Sequence, residues 1–356
     1  MYWNAFSGHG IRVLADSKSI RIQPLVSLRA VAIMLAHNSR MKSMSGLLNI
    51  GHTCYMNATI QATRCLKDFV EIVGSGEHSD DSLHTCLCKI VETMNESCST
   101  IRPTTFVRNI VSKRFPLHKP ADAHEFLCFL LDRLHEESKM KVGMTIVARV
   151  PDIHTKRENQ ALMAYQAMFQ DGFSNVIPTF FGQMCTSLKA KKGQYKKEMF
   201  ETFSTLNVPV RKSLYQSLDD YFASEELNGE SQVMDDTTNT LVDATKQTYL
   251  WRNPRILIVV LNRFGEQKNT EAIDIPELLD VFRYRYPPSN NNLYHLRSIC
   301  NHVGDSNNGH YYTTAKWNRN WYSFDDTVVK HCDGWGDGSE AYLLFYELAS
   351  KINMVV

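Results

Sequence analysis

Gly46-Leu-Leu-Asn-Ile-Gly-His-Thr-Cys54-Tyr-Met-Asn-Ala58 is the stretch on which the reading of this chain turns. A glycine-broken loop delivers a thiol to the start of a helix. The apolar residues Met56, Ile60, Leu66 and Phe69 recur at roughly a helical period. Thr53 stands in the N-cap position, which puts Cys54 on the first turn. There the helix dipole and the unpaired backbone N–H groups favour an anion, so the thiol ionises more easily. A thiolate that forms readily and is partly open to solvent suits nucleophilic catalysis. An isolated cysteine is more often a buried structural residue, so the case rests on what lies elsewhere in the chain.

Two distant segments supply it. Asn301-His-Val-Gly-Asp-Ser-Asn-Asn-Gly-His310-Tyr-Tyr-Thr-Thr-Ala-Lys-Trp317 places a flexible polar loop between aromatic-rich, alternating stretches. This predicts a β-hairpin with His310 at the root of its second strand. A tight turn at Asn318-Arg-Asn320 brings back Trp321-Tyr-Ser-Phe-Asp325-Asp326-Thr-Val328, so that Asp325 lies beside His310. A carboxylate on one imidazole nitrogen fixes the tautomer and leaves the other nitrogen to face the thiol. Nucleophile, base and orienter in that order describe a cysteine protease.

At these residues the chain resembles the ubiquitin-specific protease family of deubiquitinases, from about Gly46 to Glu347. The family's Cys box reads close to G-L-x-N-x-G-N-T-C-Y-M-N-S and its His box close to G-H-Y…W-Y-x-F-[ND]-D-x-x-V. The ending Ala341-Tyr-Leu-Leu-Phe-Tyr-Glu347 is similar to the family's closing strand. The resemblance implies Cys54 as nucleophile, His310 as general base and later acid, and Asp325 as the orienting member. It also implies Asn49 as the oxyanion-hole amide and Asp326 as a second polar support. His52 departs from the usual asparagine before Thr-Cys, and altered tuning is expected rather than lost chemistry.

A third motif is Lys119-Pro-Ala-Asp122-Ala-His-Glu125-Phe-Leu-Cys-Phe-Leu-Leu-Asp-Arg-Leu134. Asp122 and Glu125 have capping-box spacing behind Pro120, and Phe126, Phe129, Leu130 and Leu134 form a helical stripe. The segment also resembles the family's Q-Q-D-A-H-E-F motif, whose acids grip arginines in the ubiquitin tail. Pro120 and Ala121 replace its glutamines.

The fold class implied is α+β, a papain-like cysteine protease with helical thumb, β-rich palm and β fingers. The expected boundaries are an extension over 1–45, a catalytic domain over 46–347 and a tail over 348–356. Within the domain, the thumb spans about 46–178, the fingers about 180–250 and the palm about 251–347. A loop and helix insertion is expected from Lys139 to Gln170, and a buried strand over Ile256–Leu261. Many relatives close the fingertips with two C-x-x-C pairs on a structural zinc. Here Cys185 is the only cysteine between Cys128 and Cys300, so no metal is expected there, and no cofactor. Gly229 marks a turn, with Met234 and Asp235 where the second pair would fall. Cys86-Leu-Cys88 is a weak metal signal in a helical stretch.

Composition agrees. A length of 356 residues allows one large domain with a sizeable core. A net charge of +1 lacks the footprint of a nucleic-acid partner. Nine irregularly spaced cysteines, without a clear signal peptide, suggest a reducing compartment, cytoplasmic or nuclear. The first 45 residues hold several arginines and one acid, Asp16, faintly like a mitochondrial presequence, and are read instead as an extension. Leu25 to Ala36 is apolar but carries Arg29, so no membrane span is expected. A monomer acting on ubiquitin and ubiquitinated proteins is the leading expectation. The alternatives are a catalytically weak ubiquitin-binding scaffold and a protease for another ubiquitin-like modifier.

Overall fold

The computed structural model describes residues 5–6, 12–16, 19–23, 44–75, 78–96, 99–140, 153–288, 292–305 and 308–349. The apolar run Leu25–Ala36, the first part of the expected insertion and the tail beyond 349 lie outside them. Near the start of the sequence, β1 (Ala5–Phe6), β2 (Arg12–Asp16) and β3 (Ser19–Gln23) form a small antiparallel sheet.

Helix α1 (Cys54–Arg64) is buried along its whole length. It stops at Cys65, and α2 (Lys67–Val73) starts anew. Met56, Ile60, Leu66 and Phe69 are all buried, but on two helices rather than one. Around them pack α3 (Leu83–Glu96), α4 (Thr104–Asn109) and α5 (Ala123–Ser138). The core face of α5 is Ala123, Phe126, Leu127, Leu130, Leu131 and Leu134, whereas Phe129 is only partly buried. The predicted stripe therefore lacked Leu127 and Leu131, which widen it to a full helical face. Cys86 and Cys88 are both buried in the core on α3. Helix α6 (Ile153–Met168) occupies the expected insertion, and α7 (Val176–Phe180) precedes the first long strand.

That strand, β4 (Gly182–Ala190), pairs with β5 (Lys196–Phe203). Then come β6 (Thr205–Pro209), helix α8 (Leu214–Tyr221), β7 (Glu225–Leu227), β8 (Val233–Asp235), β9 (Thr240–Val242) and β10 (Ala244–Arg252). Four of these strands form a sheet in the order β5-β4-β10-β7, and β8 and β9 form a separate hairpin. The hairpin turn is held by Asp235, whose carboxylate accepts from the backbone of Thr237 at 2.8 Å. A Lys197–Asp236 ion pair at 3.0 Å ties it to β5. Cys185 is buried in β4, and Gly229 takes a φ of 57°. Arg157 on α6 braces β5 through Glu198 at 2.6 Å.

The remaining strands are β11 (Ile256–Asn262), β12 (Leu278–Asp280), β13 (Leu293–Gly304), β14 (Gly309–Trp317), β15 (Asn320–Asp325), β16 (Val328–Cys332) and β17 (Ala341–Leu348). They make the large sheet β16-β15-β14-β13-β17-β11-β6, with β12 beside β13 and only β11–β6 parallel. β11 is apolar at every position from Ile256 to Leu261 because it is covered on both faces. Ile256, Ile258 and Val260 face the helical core, and Leu257, Val259 and Leu261 face a second core with Leu214 and Leu218 of α8. Among the described residues, no helix is long and apolar enough to cross a membrane.

Candidate active site

The loop 46–53 lies flush against the turn joining β15 to β16. Leu47 N–H donates to the Asp326 carbonyl at 2.7 Å. A Cβ on Gly46 would stand 2.6 Å from the Thr327 carbonyl, so only glycine permits this approach. Gly51 has a φ of 77°, and a Cβ there would meet the Leu117 carbonyl oxygen at 2.6 Å. His52 is exposed, and its backbone N–H donates to the Leu117 carbonyl at 3.1 Å.

Thr53 does not cap α1 with its side chain. Its hydroxyl accepts from Ile50 N–H at 2.9 Å and donates to Asn49 Oδ1 at 3.1 Å, while its own N–H donates to Asn49 Oδ1 at 3.0 Å. The threonine thus closes the loop and leaves the first-turn N–H groups at Cys54 without a side-chain cap. Cys54 is 6 % exposed, more enclosed than expected of it.

Asn49 donates from Nδ2 to Asp326 Oδ2 at 2.9 Å. Asp326 holds a left-handed φ of 48° and accepts at its other oxygen from Asn57 Nδ2 at 2.7 Å. One carboxylate therefore binds both the loop before Cys54 and the helix after it. Asn57 is part of this arrangement, and the sequence reading passed over it. Its signal was an asparagine three residues beyond the cysteine, in a helix interior where asparagine is a poor former.

His310 is the second residue of β14, across the hairpin from Val303. Asn318 and Arg319, both at positive φ, form the two-residue turn that returns the chain as β15. Asp325, the last residue of β15, accepts from His310 Nε2 at 2.6 Å. The Cys54 thiol lies close enough to His310 to act on its charge, and the Nε2–Asp325 contact leaves Nδ1 unoccupied by that carboxylate. The Cys54 thiol first, and then the Asp325 bond, raise His310 from 6.5 to about 9 against the opposing effect of burial. His310, Asp325 and Asp326 form the only cluster of metal-capable groups among the described residues. Its histidine is already bonded to Asp325.

Asp122 is the N-cap of α5. Its Oδ1 accepts from the N–H groups of His124 at 2.8 Å and Glu125 at 3.0 Å. Its Oδ2 accepts from Tyr342 at 2.9 Å and Tyr311 at 3.1 Å, which links the helix to β17 and β14. Burial and the Asp122 carboxylate push both tyrosine hydroxyls well above their ordinary range. Glu125 is exposed and pairs with Arg114 at 3.3 Å.

Arg263 is 1 % exposed, and its guanidinium donates to the carbonyls of Ala341, Gly338, Asn269 and Glu271. It pins the loop after β11 to the start of β17.

A family model described as ubiquitin carboxyl-terminal hydrolase matches residues 45–346. The chain is similar to ubiquitin carboxyl-terminal hydrolase 21 of Bos taurus, 29% identical over 86% of this chain and 62% of the relative. The Homo sapiens protein of that name is 28% identical over the same shares. Ubiquitin carboxyl-terminal hydrolase 2 of Homo sapiens is 28% identical over 87% of this chain and 56% of its own length. The chain thus spans about three-fifths of the length of these curated relatives. With the match running from Ser45 almost to the end of β17, this chain belongs to the ubiquitin carboxyl-terminal hydrolase family.

Proposed function

We propose that the protein is a thiol-dependent deubiquitinase that hydrolyses the bond at the C-terminal glycine of ubiquitin. The observation that carries this reading is His310, hydrogen-bonded to Asp325 at 2.6 Å and raised in pKa by the neighbouring Cys54 thiol. The Cys54 thiolate attacks the glycine carbonyl, forming a C–S bond and an oxyanion. The second N–H of the Asn49 amide, beside the one given to Asp326, stabilises that charge together with first-turn N–H groups of α1. The C–N bond then breaks and the amine leaves with the His310 proton, giving a thioester on Cys54. His310, now neutral, takes a proton from water, whose oxygen attacks the thioester and restores the thiolate. No cofactor enters these steps.

In this reading the helices from α1 to α7 are the thumb, the sheet β5-β4-β10-β7 with the β8–β9 hairpin is the fingers, and the large sheet is the palm. Asp122 and Glu125 stand at the thumb–palm junction, where a basic tail would pass. Because Asp122 Oδ2 already accepts from two tyrosines, Glu125 is the freer acid for an arginine.

The test is reaction with ubiquitin carrying a C-terminal electrophile, run beside Cys54→Ala and beside equivalent probes of other ubiquitin-like modifiers. A ubiquitin adduct absent from Cys54→Ala supports the reading. An adduct with another modifier alone overturns the substrate. Ubiquitin binding without any adduct overturns the catalysis in favour of a scaffold.

A further inference from the structure

His302 lies on β13 directly opposite Tyr311, one pair inward from Val303 and His310. The residue is 4 % exposed, with the rings of Tyr311 at 4.5 Å and Phe264 at 5.0 Å from its own. Its Nδ1 has no hydrogen-bond partner among the described residues. The backbone at this point is clamped: His302 N–H donates to Glu340 at 2.8 Å, and Lys268 Nζ donates to the carbonyls of His302 at 2.6 Å and Gly304 at 2.9 Å.

The ring's opposite edge meets the hairpin end. A Cβ built on Gly309 would stand 1.9 Å from His302 Nε2. Gly309 pairs with Gly304 across the turn and immediately precedes His310. Two glycines with wide backbone freedom do not by themselves fix where β14 begins.

We propose that His302 is a positioning residue for His310: its imidazole is the spacer that sets Gly309, and through the next peptide the base, at the right height over Cys54. The inference rests on the roles proposed above for Cys54 and His310. A backbone shift of about 1 Å at a reacting group costs on the order of 100-fold in rate, so a missing spacer is felt in the chemistry. The charged groups around His302 are Lys268, Asp122, His310 and Asp305. Burial first, and then Lys268, lower it to about 4, so it stays neutral through the working range of the Cys54–His310 pair. Any change that a His302 variant makes in that pair's titration is therefore not the loss of a third titrating group.

The experiment follows the pH dependence of Cys54 alkylation by iodoacetamide, which needs no ubiquitin. In parallel, kcat and KM are measured on ubiquitin bearing a C-terminal aminocoumarin, with urea unfolding to show that each variant is folded. The variants are His302→Ala, Gly309→Ala, the double variant, and His310→Ala as reference. The expected result is a loss in kcat of about 100-fold for each single variant with KM little changed. The alkylation midpoint of His302→Ala should move toward that of His310→Ala. The double variant should be more active than the product of the two losses, because the added methyl enters the space left by the imidazole. Recovery is partial, since the Asp305 carbonyl also lies 2.9 Å from that Cβ.

A folded His302→Ala with wild-type profile and kcat overturns the proposal, as do losses that simply multiply. If His302→Ala does not fold, His302→Asn is read by the same criteria. An alkylation profile that does not respond to His310→Ala overturns the underlying pair instead, which separates the two failures.

Discussion

Asp326→Asn isolates the negative charge that joins the two sides of the site. The native carboxylate takes Asn49 Nδ2 at 2.9 Å on one oxygen and Asn57 Nδ2 at 2.7 Å on the other. An asparagine has one acceptor oxygen, so one of the two donors must face an amide NH₂. Asparagine also tolerates the left-handed φ of 48°, so backbone strain stays out of the comparison. The lost bond is charge-assisted and worth about 1.5–3 kcal/mol. If Asn49 loses its anchor, that cost appears in turnover as about 13- to 160-fold at 1.36 kcal/mol per decade. If Asn57 loses it, the Leu47 carbonyl at 3.3 Å remains as a weaker acceptor and the cost appears in unfolding. The assay is kcat on ubiquitin-aminocoumarin together with the urea midpoint of the same preparation. Asp326→Ala, which removes both acceptors and adds left-handed strain, must be worse than Asp326→Asn in the sum of the two effects. An asparagine variant with wild-type turnover and wild-type midpoint would refute the bridging role.

Two further outcomes are expected. His310 is held up to about 9 by the Cys54 thiol and then by Asp325, so its proton is present below that pH and lost above it. kcat/KM should therefore fall as pH rises through about 9, and histidine NMR of Cys54→Ala should show His310 dropping toward its ordinary 6.5; an alkaline limb already at 6.5 contradicts this. Arg263→Met removes the donors from four backbone carbonyls around a fully enclosed side chain. Urea unfolding should register a loss of at least about 3 kcal/mol, and a loss below about 1 kcal/mol would mean that those carbonyls find other partners.

The parts that were legible in the sequence are those governed by local rules. Thr53 before Cys54 marked the helix start, Asp122 marked the start of α5, and the polar run 304–309 marked the hairpin. The two turn residues Asn318 and Arg319 returned the next strand with Asp325 at its end. Where a second, distant partner competes for the same group, the local reading fell short. Thr53 sits at the cap position, yet its hydroxyl is spent on Asn49 and Ile50. Asp122 does cap its helix, yet its other oxygen binds two tyrosines more than 180 residues away in the chain. A serine at 122 would thus keep the cap but lose the tyrosine bonds along with the charge, so that substitution does not isolate tail recognition.

By itself, then, the sequence determined the order of the main elements and which of them bear Cys54, His310 and Asp325, because periodicity, caps and turn residues act within a few positions. It also determined the family, since two long motifs with set spacing leave little latitude. Only the tertiary structure decided how those residues meet. The Asp326 bridge from Asn49 to Asn57, the seat of Gly309 on His302, and the enclosure of Cys54 join points far apart in the chain. Such contacts depend on ångström-scale approach of backbones, which has no periodic trace in a linear chain.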